Sequence, residues 1–153
     1  MQLKQRLYEH VRQLISFKEM LLMLSGEMSY ARAPLAEAFS HIGEQGREPF
    51  SAMLADVSES LKRERGRTLG EIWKEAVEKH KSIFFSQEEF HILEGVGDNF
   101  GYLDIQMQLN NIALYVQQVE QKISEAQGEL AVKQKLYQYL SVMCGLFVIL
   151  LLI

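Results

Sequence analysis

The chain has 153 residues and a formal net charge of −4, room for one domain and an appendage. Nothing in this acidic balance points to nucleic acid, whose general binders carry a dominant positive face. A single cysteine, Cys144, excludes a disulfide framework, and only two prolines leave no proline-rich linker.

Almost every segment reads as helix. The opening MQLKQRLYEHVRQLISFKEM carries charge throughout, which is unlike a cleavable signal peptide. Leu3, Leu7, Val11, Leu14, Phe17, Leu21, Leu24 and Met28 recur at steps of three and four. That single stripe predicts a first helix over about residues 3–29. Pro34 suits the first turn of PLAEAFSHIG, a second helix that Gly43 would close. A third is expected from Pro49, with Phe50, Met53, Leu54, Val57 and Leu61 inward and Gly66 as its stop. The basic cluster Lys62, Arg63, Arg65 and Arg67, broken by Glu64 and Gly66, reads as a solvated turn between helices.

Two helices announce their own starts. Thr68 stands three residues before Glu71, and Ser86 three before Glu89. Both fit a capping box, in which the hydroxyl accepts an early backbone N–H and the Glu reaches back to the cap. Helices are therefore expected at 69–80, with Trp73, Ala76 and Val77 inward, and at 87–96, with Phe90, Leu93 and Val96 inward.

The turn GVGDNFGYLD then opens the longest pattern. Tyr102, Ile105, Leu109, Ile112, Val116, Val119, Ile123, Ala126, Leu130, Lys133, Tyr137 and Leu140 alternate steps of three and four. This heptad seam predicts one helix of about fifty residues, roughly 75 Å long. Its partner is expected to be the first helix in an antiparallel hairpin, with a homotypic coiled coil as the competing arrangement. At the corner, Gly97 would close the fifth helix and Gly101 would let two helices approach, as glycine allows. Asp98 and Asp104 would sit near the start of the long helix, where its dipole favours negative charge. The corner reads either as a structural joint or as a docking surface.

The seam runs into LYQYLSVMCGLFVILLLI, which has no charge at all. Eighteen helical residues span about 27 Å, close to a bilayer's hydrocarbon core of about 30 Å. Lys133 and Lys135 flank only the N-terminal side, and Tyr137 and Tyr139 stand where interfacial aromatics belong. The expectation is a cytoplasmic helical domain over 1–135 and a transmembrane helix over 136–153. A buried core helix is the alternative, which Gln138 and Ser141 keep open. Ser141 and Gly145 form a small-xxx-small pair able to seat another helix.

Catalytic chemistry finds little purchase. Glu88 and His91 are half of a di-iron helical motif, and no second E-x-x-H completes it. The corner glycines lack the G-K-[ST] ending of a phosphate loop. His10, His41 and His80 fall one per helix and read as surface or boundary residues. Met20, Met23, Met28, Met53 and Met107 lie on helical stripes and read as core. No cofactor and no enzymatic activity are expected.

The segments GEMSYARAPLAEAF and RTLGEIWKEAVEKHKSIFFSQEEFHILEGVGDNFGYLDIQMQLNNIALYVQQ resemble the cytoplasmic repeat of F-class platform proteins. These belong to the inner membrane in type II secretion and type IV pilus machines. Pro34, Leu35, Glu37 and Ala38 match a P-L-x-E-A-like motif, and Gly66, Thr68, Leu69 and Glu71 match the segment after it. Gly97 to Asp104 match the turn that opens the last helix, with Asp98 for the usual Glu and Phe100 for a small residue. Within that superfamily, Glu27, Met28, Tyr30, the Pro34–Ala38 run, Trp73 and the apolar ending are similar to the stage III sporulation protein AB family. The family pattern begins with a membrane helix, whereas this sequence begins on charged residues, leaving either one anchor or a segment outside it. The resemblance implies an all-α, six-helix platform-like bundle in the mother-cell membrane facing the forespore. It further implies a secretion-type ATPase and other membrane proteins of a sporulation complex as partners. Homo-oligomers are compatible with it.

Overall fold

The computed structural model describes residues 2–30, 35–64, 66–101 and 104–153. Six α-helices follow in order: α1 Gln2–Tyr30, α2 Leu35–Gln45, α3 Phe50–Arg63, α4 Leu69–Lys79, α5 Gln87–Val96 and α6 Ile105–Leu152. A short 3-10 helix, Gly97–Gly101, joins α5 to the approach of α6. No strand occurs among the described residues.

The long antiparallel pair α1–α6 is the backbone of the bundle. Val11 and Leu14 pack with Ala126, and Lys18 reaches Glu120 across the pair at 3.0 Å. The seam is therefore covered within the chain. Ile112, Val119 and Ala126 are buried, and Val116 and Ile123 are partly buried against the same core. Its ends depart from expectation. Ile105 and, on α1, Leu3 are half exposed. Met107 is also half exposed, whereas Met20 and Met53 are buried and Met23 and Met28 pack against the core. Tyr102 lies outside the described residues.

The shorter helices close over one face. Phe17, Phe50 and Phe85 cluster with centroids 5.6–6.0 Å apart. Phe39, Trp73 and Phe100 form a second aromatic cluster at 5.5–6.2 Å. Aromatic rings supply much apolar area per residue, which suits a small bundle.

Several boundaries moved for physical reasons. Gly43 does not end α2: the helix runs two residues further, to Gln45. A Cβ at Gly43 would stand 3.3 Å from the Ser51 carbonyl oxygen, so the glycine permits close approach of α3. Ser51 Oγ donates to the Gly43 carbonyl at 2.7 Å, and Ser58 Oγ to that of Ala36 at 2.7 Å, pinning α3 along α2. Pro34 and Arg65 lie outside the described residues. Pro49 is the N-cap of α3, which stops at Arg63, short of Gly66. Gly66 has φ +105°, the left-handed region that favours glycine.

Both cap predictions located helix starts. At Ser86 the box is complete: Glu89 N–H donates to Ser86 Oγ at 3.2 Å and Ser86 N–H to Glu89 Oε1 at 2.8 Å. At Thr68 only half forms, with Glu71 N–H donating to Oγ1 at 3.2 Å. Arg67 lies 4.0 Å from the Glu71 carboxylate.

Candidate functional site

Two places carry the expected functional residues: the corner between α5 and α6, and the end of α6. The corner is a packed joint. Trp73, fully buried on α4, donates its Nε1–H to the Leu93 carbonyl at 2.8 Å. Gly97 lies against that indole: a Cβ there would stand 2.5 Å from Trp73 Cδ1. Phe100 meets Trp73 edge-on at 5.5 Å and Phe39 at 5.8 Å. Phe100, partly buried, thus packs against the core.

Polar contacts lock the same joint to α6. Asn99 is buried and its Nδ2 donates to the Gln108 carbonyl at 3.1 Å. Tyr115 O–H donates to the Gly95 carbonyl at 2.8 Å. Gly97 does not close α5 in a left-handed conformation. Its φ is −63°, and it passes straight into the 3-10 turn. Its glycine identity answers to the indole, not to backbone strain. Gly101 ends that turn, and its surroundings lie outside the described residues.

The two acidic residues face outward. Asp104 caps α6, accepting Gln106 N–H on Oδ1 at 3.0 Å. Asp98 is exposed and pairs with Lys74 at 3.1 Å. Ile105 and Met107, on the first turn of α6 after Asp104, are half exposed. The motif residues on the preceding helices scatter. Glu27 pairs with His41 Nδ1 at 2.8 Å. Leu35 and Glu37 are exposed on the first turn of α2. Tyr30 ends α1 with its side chain outside the described residues.

Three histidines expected at the surface or boundary are there, His10 and His80 partly buried and His41 exposed, each against a carboxylate. His10 Nε2 donates to Glu89 (2.7 Å to Oε1), His80 meets Asp56, and His41 meets Glu27. Burial pushes the Glu89 carboxyl up, but hydrogen bonds from His10 and the Ser86 N–H outweigh it and hold it below its ordinary range. The hydrogen bond from His80 lowers that of Asp56. Partners 79 and 24 residues apart leave no local signal; only the tertiary arrangement joins them. Glu88 pairs with Lys122 at 2.8 Å, while exposed His91 lies 3.4 Å from Gln87, so the two do not converge.

Beyond Leu130 the seam loses its cover. From Gln134 to Ile153 every residue is exposed, although Leu136–Ile153 is strongly apolar. The α6 helix is long and apolar enough to cross a membrane, and its most apolar stretch is not buried by the rest of the chain. That departs from the core-helix alternative. Ser141 and Gly145 lie on this bare part, with nothing within 4 Å of where a Gly145 Cβ would be.

Comparison with known proteins gives a consistent family. The family model for stage III sporulation protein AB matches residues 1–153. Stage III sporulation protein AB of Bacillus subtilis (strain 168) is 26% identical over 146 residues, covering 94% of this chain and 84% of that protein. A solved structure titled stage III sporulation protein AB superposes with a TM-score of 0.71 at 23% identity. It covers 78% of this chain and 94% of the other, and supports the fold. With a model match across its whole length, this chain belongs to the stage III sporulation protein AB family.

Proposed function

We propose that this protein is a non-enzymatic membrane platform of a sporulation complex, anchored by Leu136–Ile153 and presenting the corner to a motor ATPase. The observation that carries this reading is the bare apolar end of α6, continuous with a helix whose other half is locked into the bundle. The lysines before the run, Lys133 and Lys135, favour a cytoplasmic bundle. In a sporulating cell that side is the mother cell, and the membrane is the one facing the forespore. The exposed Asp98, Asp104, Ile105 and Met107 give a mixed acidic and apolar skin where a partner can meet the joint. The covered seam weighs against an adaptor working through a homotypic coiled coil, since α1 already fills it.

Two measurements test the reading. Full-length protein should stay in the membrane fraction through carbonate washing, and release without detergent would defeat the anchor. A secretion-type ATPase should then co-purify from detergent-solubilised membranes and be lost with Asp98→Lys. Equal recovery with the wild type and this variant would remove the corner as its dock.

A further inference from the structure

The end of the bundle opposite the corner carries a second exposed surface. Ile83, in the loop between α4 and α5, is 84% exposed. The loop is not loose around it. Ser82 Oγ donates to Gln13 Oε1 at 2.5 Å, Phe84 N–H donates to Ser82 Oγ at 3.1 Å, and Phe85 is seated against Phe17 and Phe50. The fold thus holds an isoleucine out of the core. Leu3 and Tyr8 on α1 are also exposed, and a cleft shared by Leu3, Arg6, Leu7, His10, Ile83 and Phe84 joins the two elements.

The register of the α1–α6 pair gives the height of this surface. Lys18 meets Glu120, and Val11 with Leu14 meets Ala126. Continuing at about 1.5 Å per residue brings Leu3 level with residues 134–137, at the start of the apolar run. The loop, reached through the same cleft, then lies within about 10 Å of that level.

Its charge opposes that of the whole chain. Residues 2–10, 81–86 and 127–135 hold Lys4, Arg6, Lys81, Lys133 and Lys135 against only Glu9 and Glu129. Both carboxylates are engaged, Glu9 by Arg12 and Glu129 by Lys133 at 3.6 Å. Lys81 Nζ lies over the Phe90 ring at 4.3 Å, and Lys4, Arg6 and Lys135 complete the positive balance. Exposed apolar side chains among cations, beside an apolar helix, match an anionic bilayer surface: apolar tips enter the interface while long cationic side chains reach the phosphates.

We infer that this basic-apolar rim is a membrane-contact surface that seats the bundle on anionic lipid headgroups, with Ile83 inserted at the interface. The inference rests on the reading of Leu136–Ile153 as the span. Full-length protein carrying Cys144→Ser takes one environment-sensitive fluorophore at Ile83→Cys, at Val148→Cys in the span, or at Ser29→Cys at the far end of α1. Each is reconstituted in vesicles of phosphatidylcholine alone or mixed with phosphatidylglycerol, with or without brominated acyl chains. The expected result is loss of Val148 label intensity to bromine in both vesicles, loss at Ile83 that is larger in the anionic ones, and none at Ser29. Adding Lys4→Glu and Lys81→Glu should remove the anionic preference at Ile83 and leave Val148 unchanged. An unquenched Ile83 label beside a quenched Val148 label overturns the rim alone. A Val148 label that escapes bromine overturns the span and the rim with it. Self-quenching between Ile83 labels without bromine quenching assigns the rim to a second copy of this chain and overturns the lipid assignment.

Discussion

The two halves of α6 make an instructive pair. One helix carries one seam, yet residues 109–126 are packed against α1 and residues 136–153 are exposed throughout. In the lower half the seam alternates with charged and amide side chains, so one stripe is buried and the rest is wet. In the upper half the apolar residues surround the helix, so no single protein partner could cover them. Periodicity identifies the helix in both; the circumference of the apolar surface distinguishes a protein neighbour from a lipid one.

The sharpest way to break this contrast is to put one carboxylate in each half. Val119→Asp buries an unpaired charge between α1 and α6 and should cost about 4 kcal/mol, read as a large fall in Tm of the detergent-solubilised protein. Leu146→Asp should leave that Tm unchanged and instead oppose insertion by about 3 kcal/mol, read as release from membranes. If Leu146→Asp lowered the Tm as Val119→Asp does, the upper half would be packed in the fold after all.

The joint comes next. Gly97→Val should cost about 3 kcal/mol by forcing a side chain into Trp73. Gly95, whose would-be Cβ meets Tyr115 Oη at 3.4 Å, provides a milder control as Gly95→Ala. Equal Tm values for Gly97→Val and the wild type would refute the close approach.

Glu89→Gln should cost about 1.5 kcal/mol at neutral pH, because it weakens both the His10 contact and the cap of α5. The sign of its acid dependence follows from the lowered carboxyl. Stability from Glu89 is fully present above the ordinary value of 4.5 and disappears as pH falls through the lower folded value. Asp56 contributes in the same direction. The wild type should therefore lose Tm below about pH 4.5 more steeply than Glu89→Gln, and parallel acid curves would contradict the assignment.

The smallest effect is expected at Asp98. Its exposed pair with Lys74 contributes under about 0.5 kcal/mol, so Asp98→Ala should leave the Tm within error. A marked loss of stability there would make the carboxylate part of the joint, with no skin to spare for docking.

The legibility of the molecule follows the same division between local and tertiary causes. Thr68 and Ser86 marked helix starts because a cap acts over three residues, and the stripes marked the buried faces of α3, α4 and α5. Gly43 misled because a glycine that ends a helix and a glycine that admits another helix look alike in sequence. Leu3 and Ile105 kept the period and are still half exposed, and Met107 lies off that seam, since how far cover reaches is a property of the fold. The His–carboxylate pairs and the grip of Trp73 on Gly97 were invisible for that reason. At the corner, the place of Asp104 near the start of α6 was legible but its hydrogen bond to Gln106 N–H was not, and the role of Phe100 required knowing where Phe39 and Trp73 come to lie.

The unbroken α6 has a mechanical consequence. From Ile105 to Leu136 the helix rises about 47 Å, with α1 bracing much of that length. Bundle and span then share one axis. A span that tilts by about 10° to fit a thinner bilayer would swing the corner sideways by about 8 Å. Lever arms of this kind convert bilayer thickness into lateral position, so whatever meets the corner would sense the lipid around the anchor.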